Sequence, residues 1–300
     1  MSGRRDRLTI AAFAAVVVIA GLNFVAVRFS NRELPPFEGA ALRFAAAALL
    51  FAAYAWARHL AYPRGRALAG ALLFGVLGFF AAYALVYWGL VSAPAAMAAV
   101  SLALVPLATA LLAVAHRLER LRARTLIGGA LAAVGIFVLL REQLSATVPL
   151  GSLAAMIAGA LCAAESGVVV KYFPRSHPAV TNAVAMGAAT ALLAALSRIS
   201  GEAWIVPTQP TTLIAFGYLV ASTIILFVFI LYILGRWTAS AASLQFPLAP
   251  VVTVVAGSVL AGEGVTLAFG VGAAIVAVGV LVASGVTLPG VRATSRARLA

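Results

Sequence analysis

The chain has 300 residues, of which 64% are hydrophobic and only 10% charged. A soluble domain carries about 25% charged residues, so a water-facing surface is excluded and the bilayer is the solvent. The net charge of +13 does not mark a nucleic-acid binder, because the basic residues stand singly or in short clusters between long apolar runs.

Arg4, Arg5 and Arg7 open the chain like the start of a signal peptide, but apolar runs continue to Val286, so the first run is read as a span. Ten such runs can be marked. The first five are Leu8–Val27, Phe37–Ala57, Leu68–Leu90, Pro94–Ala115 and Ala123–Leu140. The second five are Val148–Val170, Ala179–Leu196, Leu213–Leu234, Ala239–Ala261 and Val265–Val286. Each is close to the about 20 residues that a helix needs to cross the hydrocarbon. Helices satisfy every backbone group within the segment, as a bilayer demands. A barrel would need alternating polar and apolar residues, and these runs do not alternate.

The loops set the orientation. With the N-terminus inside, 16 of the 21 basic residues fall on inner segments: Arg4, Arg5, Arg7, Arg58, Arg64, Arg66, Arg117, Arg120, Arg122, Arg124, Lys171, Arg175, Arg236, Arg292, Arg296 and Arg298. Only Arg28, Arg32, Arg141 and Arg198 fall outside, and Arg43 lies within a span. Positive residues favour the cytoplasmic side, so both termini, including a tail over 287–300, are expected there, in a cell inner membrane.

The chain also repeats itself. Moved by 144 residues, Ala95–Leu140 lands on Ala239–Ser284 without a gap, and twelve of the 46 pairs are identical. Pro106/Pro250, Thr109/Thr253, Glu119/Glu263, Gly128/Gly272 and Gly135/Gly279 are among them. Each copy holds five spans, an odd number, so the copies enter the membrane from opposite sides. The expected fold is all-α: ten transmembrane helices as two inverted five-helix repeats, over 8–141 and 148–286. Inverted repeats are a recurring transporter architecture; duplication for a stable bundle is the plainer alternative.

Gly21-Leu22-Asn23-Phe24-Val25, Leu34-Pro35-Pro36 and Ala41-Leu42-Arg43-Phe44 resemble the first two helices of EamA-type transporters of the drug/metabolite transporter superfamily. Tyr87 through Ser101, Pro106 and Glu119 to Leu140 resembles the end of the same domain. Tyr232 through Leu234-Gly235-Arg236, Pro250, Gly262-Glu263 and Gly279 resembles the end of a second copy. The resemblance implies ten helices, a central cavity between the halves, and export of small metabolites such as amino acids. The chain departs from the family pattern at Ala20, where Trp is usual, at Leu118 before Glu119, where Gly is usual, and near Glu165, where Trp is frequent.

Within the spans a few residues carry chemistry. Arg43 sits about six residues into the second span, at a depth similar to Asn23. A charge there costs roughly 2.5–3.5 kcal/mol on insertion scales, so it faces protein or water. It either clamps a substrate carboxylate through its planar fork or bonds helix-end carbonyls or Asn23 and snorkels outward. Glu165 is the one carboxylate well inside a span; it serves a substrate amine or a coupling proton, or it is a structural partner near Lys171.

Aromatic residues mark the third span (Phe79, Phe80, Tyr83, Tyr87, Trp88) and the eighth (Tyr218, Phe229, Tyr232, with Ser222). Phe80, Tyr83 and Tyr87 share one face at helical spacing. Such walls line a cavity or serve packing and an interfacial belt. Ser101 and Gln245, matched by the repeat, precede Pro106 and Pro250, which are hinges or shape the bundle. Gly128, Gly129, Gly135, Gly272 and Gly279 let the fifth and tenth helices approach closely, within one chain or in a homodimer.

Enzyme chemistry finds no motif. There is no phosphate-binding loop of the G-x-x-x-x-G-K-[ST] type. His59, His116 and His177 lack metal-ligand spacing, and the lone Cys162 implies neither disulfide nor metal. No cofactor is expected, and the partners are a small-molecule substrate and the lipid bilayer, with proton coupling left open. The reading is a secondary exporter of small metabolites working by alternating access. A carrier for sugars, nucleotide-sugars or lipid-linked substrates and a non-transporting scaffold are the rivals.

The topology is directly testable. In a Cys162→Ala background, cysteines at Ser145 and Thr208 react with an impermeant thiol reagent added outside, and one at Ser176 does not; labelling at Ser176 alone would invert the orientation.

Overall fold

The computed structural model describes residues 2–90, 101–140, 149–261 and 267–284. Arg141, Glu142, Ser145, Gly262, Glu263 and the tail 287–300 lie outside them. The helices are α1 (Ser2–Ser30), α2 (Pro36–Ala57), α3 (Arg66–Phe74), a π-helical turn (Gly75–Ala81), α4 (Ala82–Leu90), α5 (Val105–Ala115) and α6 (Ala123–Leu140). Then come α7 (Leu150–Tyr172), α8 (Pro178–Ile199), α9 (Pro210–Leu234), α10 (Ala239–Ala242), α11 (Gln245–Ala261) and α12 (Leu267–Ser284). No strand occurs among the described residues. Six helical stretches there are long and apolar enough to cross a membrane, and Val105–Ala115, Ala123–Val138 and Gly270–Ala283 are shorter apolar helices.

Local chemistry sets the helix ends. Pro36, Pro178 and Pro210 each open a helix, where the missing N–H costs nothing. At the far ends of α2 and α5, His59 and Arg117 adopt φ of 50° and 58°. Leu60 N–H then reaches back to Ala55 O at 2.9 Å, and Leu118 N–H to Ala113 O at 2.8 Å. This is the left-handed helix stop that Gly usually supplies. Large side chains such as Leu49, Trp56, Ile199, Leu150 and Leu267 face outward, which a lipid surround permits.

The helix pairings come in matched sets. The first span packs on the eighth and ninth, and the sixth packs on the third and fourth. The second pairs with the seventh and the fifth with the tenth; the second also meets the eighth, as the seventh meets the third. Exchanging each span n with n+5 leaves this pattern unchanged. The halves interlock, since the first span of each lies in the other.

The glycine stripe is consumed in one seam. A Cβ at Gly128 would lie 2.4 Å from Gly279 O, one at Gly135 2.6 Å from Val276 N, and one at Gly279 2.5 Å from Ala132 N. The fifth and tenth spans therefore touch backbone to backbone within the chain, and these positions are not free for a dimer contact. Gly129 abuts Leu107 of the fourth span instead.

Backbone geometry adds two features that sequence alone does not show. The third span is not a uniform helix, because Gly75–Ala81 winds as a π-helix. A Cβ at Gly75 would meet Ala185 O at 2.3 Å, so the backbone swells where it lies on the seventh span. The prolines do not kink the two repeats alike. The fourth span breaks at Ala103–Leu104, and Pro106 is the second residue of α5. The ninth breaks at Ser243–Leu244, ahead of Pro247, while Pro250 sits inside α11. Pro247 takes away the N–H that Ser243 O would accept.

The seam between α6 and α12 yields a stability prediction. Gly128→Leu and Gly279→Leu each lower the thermal unfolding midpoint of the detergent-purified protein, with overpacking costing about 1–3 kcal/mol or more. Gly217→Ala, where a Cβ meets nothing within 4 Å, leaves it in place.

Candidate functional site

Arg43 lies on α2, 3% exposed. Its guanidinium carbon stands 4.8 Å from the Phe44 ring centre and 5.3 Å from that of Tyr83. Cations are attracted to ring faces at such distances. Its Nε is buried without an acceptor, and no ion pair to Arg43 occurs among the described residues. Asn23 is not its partner: Asn23 Oδ1 accepts the Ser222 hydroxyl at 2.7 Å, joining α1 to α9. The snorkelling reading fails for the same reason that the side chain is buried, since a snorkelling arginine ends in water.

An aromatic column passes beside Arg43. Ring centres step from Phe37 to Tyr87 (6.4 Å), to Tyr83 (5.8 Å), to Phe44 (5.1 Å), to Phe79 (5.1 Å), and on to Phe74 (5.1 Å) and Phe227 (4.5 Å). Most contacts are edge to face, the favoured arrangement for aromatic pairs. Phe79 is fully buried in this column and Phe80 only half-buried. The π-helical turn explains why spacing pointed to Phe80. A wider turn brings residues four apart, Phe79, Tyr83 and Tyr87, into line. Trp88 faces away, 56% exposed, with its ring near Gly151; it belongs to the outer surface.

The other named residues scatter. Ser101 is buried, and Gln245, at the start of α11, and Tyr218 are half-buried. Tyr232 lines a cleft of about 940 Å³. The cleft is walled by Leu50, Phe51, Val169, Ile224 and Val228, and its rim carries Arg175, His177 and Arg236. Arg236 lies over the Tyr232 ring at 3.6 Å, and Arg175 donates to Gly235 O at 3.1 Å. The cleft's rim lies in the basic loops at one end of the helices, and its wall includes Ala71 and Val228, which stand one helical turn before Phe74 and next to Phe227 in the chain.

Glu165 has a partner that sequence did not reveal. His116 Nε2 lies 2.9 Å from Glu165 Oε1, and the Tyr172 ring stands edge-on to His116 at 5.3 Å. Glu165 Oε2 is buried without a partner. His116 and Glu165 are 49 residues apart in sequence, so no local spacing could pair them. Glu119 turns to α10 and accepts Ser240 N–H at 3.2 Å. Asn182 on α8, which the sequence reading passed over, is fully buried with both amide atoms unpartnered.

At the opposite end three carboxylates bond across the two halves. Glu202 accepts Phe37 N–H (3.1 Å), Glu38 N–H (2.9 Å) and the Ser197 hydroxyl (2.7 Å). Glu38, 1% exposed, accepts Ile205 N–H at 2.9 Å. Glu33 accepts Thr208 N–H (3.3 Å), the Thr208 hydroxyl (3.1 Å) and Gln209 N–H (3.0 Å). Burial raises the Glu33 pKa, but the Gln209 and Thr208 hydrogen bonds outweigh it and hold the carboxyl below its ordinary value. Its contribution to folding is thus present above the ordinary carboxylate pKa and fades as pH falls through the lowered one.

Helices of spanning length, apolar outward faces and a buried cation define a multi-pass membrane protein. The model of the EamA-like transporter family matches residues 7–141 and again 150–285, and the chain belongs to that family, within the drug/metabolite transporter superfamily. The family is one of transporters rather than enzymes. No curated protein matches the chain significantly. A solved structure described only as the crystal structure of a protein is 24% identical, with a TM-score of 0.77 over 92% of this chain and 97% of that one. At that identity the likeness is one of fold.

Proposed function

We propose that the protein exports small metabolites carrying a carboxylate, amino acids or related compounds, across the inner membrane by alternating access between two inverted five-helix repeats. The observation that carries this reading is the one-sided path: a large cleft at the basic end, a carboxylate closure at the other, and an unpaired buried arginine between them. With the basic end cytoplasmic, the cleft faces the cell interior and the conformation is inward-open. Matched pairing under exchange of n with n+5 supports the inverted repeat, because the odd span count turns the second copy over.

Each element has a task in the cycle. Arg175, His177 and Arg236 at the rim raise the local concentration of an anion. The apolar walls take its organic body. Phe74, Phe79 and Phe227 continue the aromatic column from Phe44, which flanks Arg43, whose planar fork can hold a carboxylate bidentately. Water is scarce there, so the pair is worth more than at a surface. A nucleotide-sugar carrier would call for several cations along the path, and Arg43 is the one arginine buried among the described residues of the spans. A scaffold has no use for a cleft of about 940 Å³.

Two measurements in proteoliposomes test the reading. Arg43→Lys lowers counterflow of a labelled amino acid at least tenfold while protein accumulates normally, because an ammonium does not reproduce the fork. Loss of the protein along with transport would assign Arg43 to structure instead. If transport is proton-coupled, Glu165→Gln abolishes pH-driven accumulation and keeps downhill exchange, since Gln preserves shape but cannot ionise beside His116. Normal pH-driven accumulation by this variant removes Glu165 as the proton carrier.

A further inference from the structure

We infer that Glu33, Glu38 and Glu202 form the outer gate of the transport path, a latch in which each half of the protein caps helices of the other. This rests on the transporter reading above and adds the device that holds one end shut.

The latch is reciprocal. Glu202, from the second half, receives the N–H groups of Phe37 and Glu38 in the first turn of α2. Glu33, from the first half, receives those of Thr208 and Gln209 just before α9. The first N–H groups of a helix have no partner within it and carry its positive dipole end, so a carboxylate is their best acceptor. Here both acceptors come from across the interface. Glu38 is the third carboxylate to bond across, accepting Ile205 N–H. Ser197 and Trp204 brace Glu202: the indole N–H donates to Ser197 Oγ at 3.1 Å, and Ser197 donates to the carboxylate. Arg198 covers the Trp204 ring at 4.7 Å.

The comparison between the two ends identifies a gate rather than a fixed clamp. Under exchange of n with n+5, the loop between the first and second spans corresponds to the loop between the sixth and seventh. The loop between the seventh and eighth corresponds to the loop between the second and third. At the acidic end the loop between the first and second spans and the loop between the seventh and eighth, with the helix starts beside them, share six hydrogen bonds across the halves. At the basic end the equivalent pair, 173–177 and 58–65, shares no hydrogen bond among the described residues, and the former lines the open cleft. The same architecture is therefore closed at one end and parted at the other. Swapping the two arrangements requires the latch to release. One oxygen of Glu38 stays buried without a donor, so closure is not fully satisfied and leaves a group that water would welcome on opening.

The test uses full-length protein in right-side-out and inverted vesicles, with Cys162→Ala as background. Leu34, 1% exposed and set between Glu33 and Glu38, becomes Cys to report on the outer end; Val228, on the cleft wall, becomes Cys in a separate protein for the inner end. Glu202→Ala raises the rate of Leu34→Cys labelling by an impermeant maleimide from outside about tenfold, the factor for about 1.4 kcal/mol, and slows Val228→Cys labelling from inside. Glu202→Gln, with one weaker acceptor, falls between. If Glu202→Ala fails to accumulate, Glu33→Ala gives the same pair of shifts. Unchanged rates overturn the gate, and so does a rise at both ends, which marks local loosening. Failure of the wild-type protein to move any cargo would instead sink the transporter reading, whatever the labelling rates.

Discussion

Hydrocarbon offers no hydrogen-bond partner, and that absence governs where this backbone can depart from an α-helix. The departures found all lie against protein. The π-helical turn rests on the sixth and seventh spans, with Gly75 and Phe79 buried. The break in the fourth span falls at buried Ala103 and that in the ninth at buried Ser243 and Leu244. Irregular backbone is thereby confined to the interior, where it can shape a path, while the lipid-facing surface stays regular. The swollen turn does more than relieve crowding against Ala185. It sets the angular position of Phe79 and so aligns the aromatic column that flanks Arg43.

The membrane-capable helices were legible because length and hydropathy are properties of single segments, and the duplication because its copies keep order without gaps. The intimate contact of the fifth and tenth helices was legible as a glycine pattern, though not that one chain uses both surfaces. What sequence could not reach is tertiary. Glu165 finds His116 on another helix; Asn23 finds Ser222 rather than Arg43. Glu33, Glu38 and Glu202 lie in loops or near span ends, and nothing near them in sequence shows that backbone N–H groups of the other half come to meet them. Phe80 was preferred over Phe79 because a uniform period of 3.6 was assumed across a stretch that does not keep it. Trp88 was grouped with its neighbours for its type, while its direction is set by packing against the sixth span.

Charge is distributed to match this division. Arginines crowd the end with the cleft, carboxylates bond across the two halves at the other, and one guanidinium lies between, cushioned by two rings. Ring faces soften the burial of a cation without neutralising it. A formal partner would neutralise it and leave less for an anion to gain. The aromatic contacts thus keep the buried charge of Arg43 tolerable without a counter-ion among the described residues.

The interlocking of the halves also dictates an order of assembly. The Gly128 stripe on the fifth helix meets its counterpart on a helix that begins 144 residues later in the chain. At roughly 5–20 residues per second the ribosome needs about 7–30 s to supply it. Until then the helices of the first half stand with these packing faces uncovered, and among the described residues the first packs chiefly on helices of the second half. Insertion and packing are therefore separated in time, and the first half waits as a loose set of helices rather than a finished domain. The quality-control machinery of the membrane meets this chain as a half-built object until α12 arrives to close the seam.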